Sequence, residues 1–325
     1  MKRREFARLI GAAALTSAFQ ALAQRPPTPV IGYIRFRSPA EEAWIEDSFR
    51  EGLKDGGYVD GKNVAVQYRW ADSYDQLPGL VTEFVKLKVA VIVARGTPVA
   101  VAAKSVTSSI PIVYSGGGDP VKLGLVASLN RPGGNVTGIS NVGSELEGKR
   151  VQTLRDLLPA AKTIAYLANP RFPAASSLIR EVQTAGAATA TSIQVINAST
   201  EAEIDKAFAT IAQNRVNAIL VAPDSYFISR RDQIVTLAAH YAIPACYPFR
   251  EFAAAGGLVS YGADRAANSR GVGVYTARVL KGTKPGDLPV VQSNKFELVV
   301  NRKTAKKLGL ALSRDFLERV DEVIE

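Results

Sequence analysis

Val89-Ala90-Val91-Ile92-Val93-Ala94-Arg95-Gly96-Thr97-Pro98 is the stretch that decides how this chain folds. Its first half is a continuous apolar run rich in β-branched residues, the mark of a strand covered on both faces in a parallel sheet. Its second half turns through Gly96 and offers Thr97 as a cap and Pro98 as a first-turn residue, so a helix follows. Just upstream, Leu77, Leu80, Val81, Phe84 and Val85 fall on one helical stripe. With the strand Val64 to Tyr68 before that helix, strand, helix and strand follow in the order of a βαβ unit.

The same alternation extends outward in both directions. Val30 to Ile34 reads as a first strand, Ala40 to Leu53 as its helix and Val64 to Tyr68 as a second strand; Ile112 to Tyr114 and Val136 to Ile139 continue the sheet. The pattern then restarts. Ile164-Ala165-Tyr166-Leu167 echoes Ile31-Gly32-Tyr33-Ile34, and Ile219-Leu220-Val221-Ala222 echoes Val91-Ile92-Val93-Ala94. Two α/β lobes in tandem is the economical reading.

Ligands of open parallel sheets bind beyond the carboxyl ends of the strands, where loops enter helices. Five such loops are small and polar: those at Arg35 to Pro39, Ala94 to Pro98, Ser115 to Pro120, Ala168 to Pro170 and Ala222 to Ser225. Backbone N–H groups at a helix start hold a carboxylate or similar anion, and Gly96-Thr97 and Gly116-Gly117-Gly118 can bring backbone close to it. Asp119 or Asp224 is suited to an ammonium, and Phe36 or Tyr261 to an apolar side chain. Each loop alone is equally explained as an ordinary capped turn. The convergence of five favours a binding site.

Catalytic constellations are sparse. The single histidine, His240, ends a helical pattern where a cation suits the dipole. The single cysteine, Cys246, sits in an apolar stretch and reads as a buried thiol, so the chain forms no internal disulfide. No His- or Cys-rich metal set, P-loop or G-x-G-x-x-G occurs, and Gly138 to Gly143 is one residue too long for a G-x-S-x-G elbow. No cofactor is expected.

The first residues speak of destination. Lys2-Arg3-Arg4-Glu5-Phe6, a weakly apolar run from Leu9 to Leu22, and Ala21-Leu22-Ala23 before Gln24 form an export signal. The Arg-Arg-x-Phe order favours the twin-arginine route over general secretion. A membrane span needs roughly 20 apolar residues, and this run is shorter and broken by Thr16, Ser17 and Gln20. Residues 1–23 carry a net of +3, which leaves +7 of the whole chain's +10. Those positives are scattered, with Lys303, Lys306 and Lys307 the densest group, and no aromatic-basic alternation suggests nucleic acid. At 325 residues, with 47% hydrophobic and 22% charged, the chain is globular and long enough for two domains.

Several motifs together resemble one family. They are Gly61-Lys62-Asn63-Val64 with Tyr68-Arg69-Trp70-Ala71, Gly96-Thr97-Pro98, Asp119-Pro120-Val121 and Ser128 to Gly138. Tyr247-Pro248-Phe249-Arg250, Gly256 to Gly262 and Lys295 to Asn301 continue the likeness over the whole mature chain. The chain resembles solute-binding proteins of ABC transporters, the tryptophan-type group. That resemblance implies an α/β protein of two Rossmann-like lobes with parallel sheets, joined by three hinge crossings in a type I periplasmic-binding-protein fold. Residues 24–140 with 263–291 would form one lobe and 141–262 with 292–325 the other. The site would set Phe36, Ser38, Gly96, Thr97, Ser115 and Asp119 against Asn169, Asp224 and Tyr261. It further implies a periplasmic, monomeric protein without enzymatic activity, which takes an amino acid or related small carboxylate and docks transiently on an inner-membrane permease. A sensor handing ligand state to a signalling partner, or a cleft hydrolase, are the alternative readings.

Overall fold

A computed structural model describes residues 28–36, 43–141 and 146–325. The export signal and Ser38 lie outside the described residues. The first sheet is built from β1 (Val30–Phe36), β2 (Ala65–Ala71), β3 (Val91–Arg95), β4 (Ile112–Gly116) and β5 (Val136–Ser140). The second takes β6 (Thr163–Ala168), β7 (Ser192–Asn197), β8 (Ala218–Val221), β9 (Ala245–Tyr247) and β10 (Val259–Ala263). Three late strands are shared out: β11 (Val291–Gln292) extends the first sheet, and β12 (Phe296–Asn301) and β13 (Glu322–Ile324) extend the second.

The first sheet runs β11-β5-β4-β3-β1-β2 and is parallel throughout. The second runs β13-β12-β10-β9-β8-β6-β7, with one antiparallel step between β10 and β12. The apolar runs are the central strands: β8 and residues 91–94 of β3 are fully buried, as strands sandwiched between helix layers must be. Apolar side chains pack on both faces of the first sheet, around Phe84 on one and Phe49 on the other, while Phe208, Phe227 and Phe252 belong to the core of the second lobe.

Three crossings join the lobes. Beyond β5 the chain reaches the helix Leu146–Leu157, which packs beneath β8, β9 and β10. After β10, Asp264 accepts a hydrogen bond from the Ala267 N–H and caps the helix Arg265–Leu280, which returns to lie against the helix Ala43–Asp55 of the first lobe. After β11 the chain crosses a third time into β12.

Strand ends differ from the sequence expectation in one consistent way. The third strand, expected at Val89 to Val93, starts at Val91 and runs to Arg95, because Lys88 turns with φ +51° and delays entry into the sheet. β1 runs on to Phe36 and β2 to Ala71, since Arg35 pairs with Trp70 and Phe36 with Ala71 across the ladder. Arg35, Phe36 and Arg95 are therefore strand residues held at the carboxyl edge of the sheet. Among the described residues no helix is long and apolar enough to cross a membrane.

Candidate functional site

The carboxyl ends of both sheets face one another across a closed cleft. Here lies a cavity of about 70 Å3 walled by both lobes and by the first two crossings. The first lobe gives it the ends of β1 and β3 and the start of the helix Thr97–Val106, together with Ser115, Gly116 and Gly117. The second lobe gives Phe172, Pro223, Ser225, Ile228, Ser229 and Phe249, and the crossings give Asn141, Arg265 and Asn268.

Its chemistry is cationic, hydroxylic and aromatic. Arg35, Arg95 and Arg265 line it, and among the described residues no carboxylate does. Arg35 is buried and ion-paired to Glu46 at 3.2 Å, and Arg265 to Glu251 at 2.8 Å. The Arg265 guanidinium also lies over the Phe249 ring, 5.3 Å from its centre. Phe36, Phe172 and Phe249 supply apolar wall. Gly96, with φ +108°, caps the helix Thr97–Val106, which leaves Thr97 in its first turn with its hydroxyl donating to the Gly117 carbonyl. Thr97 was expected to be the cap; the glycine takes that place because its backbone conformation is one that β-branched residues avoid. Helix N–H groups beside guanidinium groups form a seat for a carboxylate.

A second cavity of about 90 Å3 shares Gly117, Asn141, Pro223 and Phe249 with the first. Its wall carries Asp119, Glu147 and Glu181 against Lys122 and Arg150. Glu147 and Arg150 are each 1% exposed and form an ion pair at 2.6 Å. Arg150 also donates from Nε to the Tyr261 carbonyl at 2.8 Å. Burial pushes the Glu147 carboxyl above its usual range, against the pull of Arg150.

The lobes grip one another beside these cavities. Tyr74, in a 3-10 turn just after β2, donates its hydroxyl to Asp224 Oδ2, and the neighbouring Asp75 pairs with Arg171 at 2.5 Å. Tyr74 packs against the cores of both lobes. Backbone and side chain nearly touch at two further points. A Cβ on Gly96 would sit 2.6 Å from Ser225 Oγ, and one on Gly118 (φ +84°) would sit 2.7 Å from the Ala174 Cβ.

The expected site residues divide accordingly. Phe36, Gly96, Thr97 and Ser115 line the first cavity and Asp119 the second. Asp119 spends one oxygen on the Val121 and Lys122 N–H groups, so its turn-capping role dominates. Asp224, expected to meet an ammonium, reaches neither cavity wall. It is wholly buried, where it caps the short helix Ser225–Ser229 through the Phe227 N–H and accepts from Tyr74 and Asn169. Asn169 likewise reaches neither wall; its side chain holds Asp224 and accepts the Arg171 N–H. Tyr261 is also away from both cavities, because strand alternation turns its ring outward to stack on Phe296 beneath Lys149. The sequence reading did not select Arg35, Arg95, Asn141, Glu147, Phe172, Phe249, Arg265 or Asn268. Arg35 and Arg95 did fall within the loops it singled out. Cys246 is buried with its thiol pushed up to about 12 by burial, and His240 stands exposed against Tyr241.

Comparison with known proteins follows the same lines. A family model described as ABC transporter substrate binding protein matches residues 38–324. A tyrosine-binding protein of Clostridioides difficile is 29% identical over 84% of this chain and 79% of its own length. A Streptococcus pneumoniae ABC domain solved with L-Trp superposes with a TM-score of 0.85 at 25% identity, covering 91% of this chain and all (100%) of its own. A conserved domain protein from Vibrio cholerae gives the same TM-score of 0.85 at 26% identity, over 91% of this chain and 99% of its own.

Proposed function

The chain belongs to the ABC transporter substrate-binding protein family, and from that premise we propose that it works outside the cytoplasm, delivering one small carboxylate to a membrane permease. It is a solute-binding protein and not an enzyme. The lobe division that best serves this reading is 24–140 with 263–291 against 141–262 with 292–325. Residues 1–23 direct export to the periplasm, where cleavage after Ala23 releases a soluble monomer. Hinge closure on ligand is then the signal a permease can read.

The observation that carries the reading is the wall of the first cavity, where arginines and the start of the helix Thr97–Val106 meet three phenylalanines. That set suits a carboxylate attached to an apolar group. An amino acid fits the description, and the relatives described as tyrosine-binding and as an L-Trp complex point the same way. The test is thermal unfolding of the protein from Gln24 onward against amino acids and small carboxylates. A true ligand at about 100 times its Kd stabilises by about 2.7 kcal/mol, a clear upward step in Tm. Thr97→Ala should abolish that step. No shift with any compound, and no small molecule released from denatured protein, would overturn the assignment.

A further inference from the structure

Two of the three crossings run past one cluster of charges. Asp264 and Arg265 lie where the chain leaves β10 for the helix Arg265–Leu280, and Lys295 and Glu297 lie where it enters β12. The Asp264 N–H donates to the Lys295 carbonyl at 3.0 Å, and Glu297 stands opposite Gly262 in the β10–β12 ladder. The short helix Arg250–Ala254 packs on both strands and brings Arg250 and Glu251, and β13 brings Glu322. Three of the four carboxylates have a cation. Asp264 pairs with Lys295 at 2.6 Å, Glu251 with Arg265 at 2.8 Å and Glu322 with Arg250 at 2.6 Å. The fourth, Glu297, is half-buried and has no hydrogen bond or ion pair among the described residues. Burial, and then the charge of Asp264, push its carboxyl up to about 7; Arg250 opposes, while Glu251 and Glu322 add to the rise. The helix Leu146–Leu157 lies on the other face of the sheet, where strand alternation puts Tyr261, and holds Lys149 and the Glu147–Arg150 pair there.

We propose that Glu297 is a pH-sensitive element of the hinge, its protonation favouring the closed protein and its ionisation the open one. This rests on the hinge-closing reading above and adds a regulator to it. The cluster is divided between the lobes: Asp264 and Arg265 begin the helix that returns to the first, while Arg250, Glu251, Glu297 and Glu322 belong to the second. Rotation of the lobes therefore moves Asp264 relative to Glu297. In the closed form an ionised Glu297 faces Asp264 with no cation of its own, since Lys295, Arg265 and Arg250 are already paired. Opening separates the two carboxylates and admits water; protonation removes the repulsion without opening. The closed-form value of about 7 lies above the ordinary 4.5, so the contribution to closure is full below about pH 4.5 and is lost as the pH rises through about 7. With an ordinary value in the open form, the closed-to-open ratio falls by up to about 30-fold between about pH 5.5 and about pH 8.5.

The test is small-angle scattering of the ligand-free protein from Gln24 onward, with the radius of gyration followed from about pH 5.5 to about pH 8.5. The parent should expand as the pH rises, with a midpoint at about 7. Glu297→Gln, a neutral stand-in for the protonated carboxyl, should stay compact throughout. Asp264→Asn keeps the cap of the helix Arg265–Leu280 and removes the neighbouring charge, so its midpoint should move to lower pH. A radius that does not change with pH in the parent overturns the switch, and so does a Glu297→Gln variant that expands as the parent does. Should that variant fail to fold, an unmoved midpoint in Asp264→Asn overturns the proposal in its place. Each of these results leaves the solute-binding reading standing, because that reading is decided by the stabilisation a ligand brings.

Discussion

Replacing Tyr74 by Phe removes one hydroxyl from the seam between the lobes and keeps everything else. The ring retains its edge-on contact with Phe36, 5.1 Å between centres, so packing is preserved. What is lost is one of the donors to Asp224, a carboxylate with no exposure to solvent. A hydrogen bond to a charged group contributes about 1.5 to 3 kcal/mol. Because the donor and acceptor belong to different lobes, that energy favours the closed form specifically. The closed-to-open ratio should fall roughly 10- to 100-fold, and the apparent Kd for ligand should rise by up to the same factor.

The effect carries a pH signature. Burial lifts the Asp224 carboxyl from its ordinary 3.8 to about 6, against the opposing pull of Tyr74, Phe227 and Asn169. A folded-state value above the unfolded one means that the protonated form stabilises the folded protein. Its contribution, about 3 kcal/mol, is fully present below about pH 3.8 and is lost as the pH rises through about 6. Without the Tyr74 donor the carboxyl rises further, so the loss moves to higher pH. The Tyr74→Phe penalty should therefore be large at about pH 8 and small at about pH 5, where Asp224 is protonated in the variant. Calorimetric titration at both pH values, paired with small-angle scattering with and without ligand, measures this. An unchanged Kd at about pH 8, with the same ligand-induced compaction as the parent, would refute the argument.

Other expectations follow from the same geometry. Gly96→Ala places a methyl group 2.6 Å from Ser225 Oγ at φ +108°, so ligand affinity should fall at least tenfold while far-UV circular dichroism stays native. Arg150→Ala leaves Glu147 buried without its cation and should cost about 3 to 5 kcal/mol in urea unfolding, far more than truncating the exposed Arg314 beside Glu318. Conversion of Arg3 and Arg4 to Lys should trap precursor in the cytoplasm if the twin-arginine route is used, and N-terminal sequencing of exported protein should begin at Gln24.

The architecture was legible because parallel strands declare themselves through unbroken apolar runs, and β3 and β8 do so plainly. The loops at Gly96-Thr97 and Ser115-Gly116 were legible for a related reason: strand polarity alone puts them at one edge of the sheet. Arg265 and Asn268 were not, since they come to the cavity on a helix that follows a crossing, and only the three-dimensional return of that helix brings them there. Tyr74 was hidden in an ordinary polar turn, Ser73 to Gln76, whose partner Asp224 lies 150 residues away. Asp224 stood out in the sequence because capping and ligand binding call for the same carboxylate, and in the structure it is the buried cap of the helix Ser225–Ser229. Glu147 had one local cue, its spacing of three from Arg150 on a helix, but spacing does not reveal which oxygen is left without a partner.

The late sharing-out of strands has a consequence for biogenesis. β11 completes the first sheet and β12 and β13 the second, so neither sheet can be finished while the polypeptide is still emerging from the ribosome. Contacts such as Ser269 to the Ile45 carbonyl, 224 residues apart, can form only near the end of translation. The nascent chain therefore carries two incomplete sheets with unpaired edges, and such edges invite aggregation. Chaperone capture during synthesis should matter more for this protein than for one whose domains follow each other in sequence, and loss of even the last few residues, which strip β13 from its sheet, should show as poor yield of soluble protein.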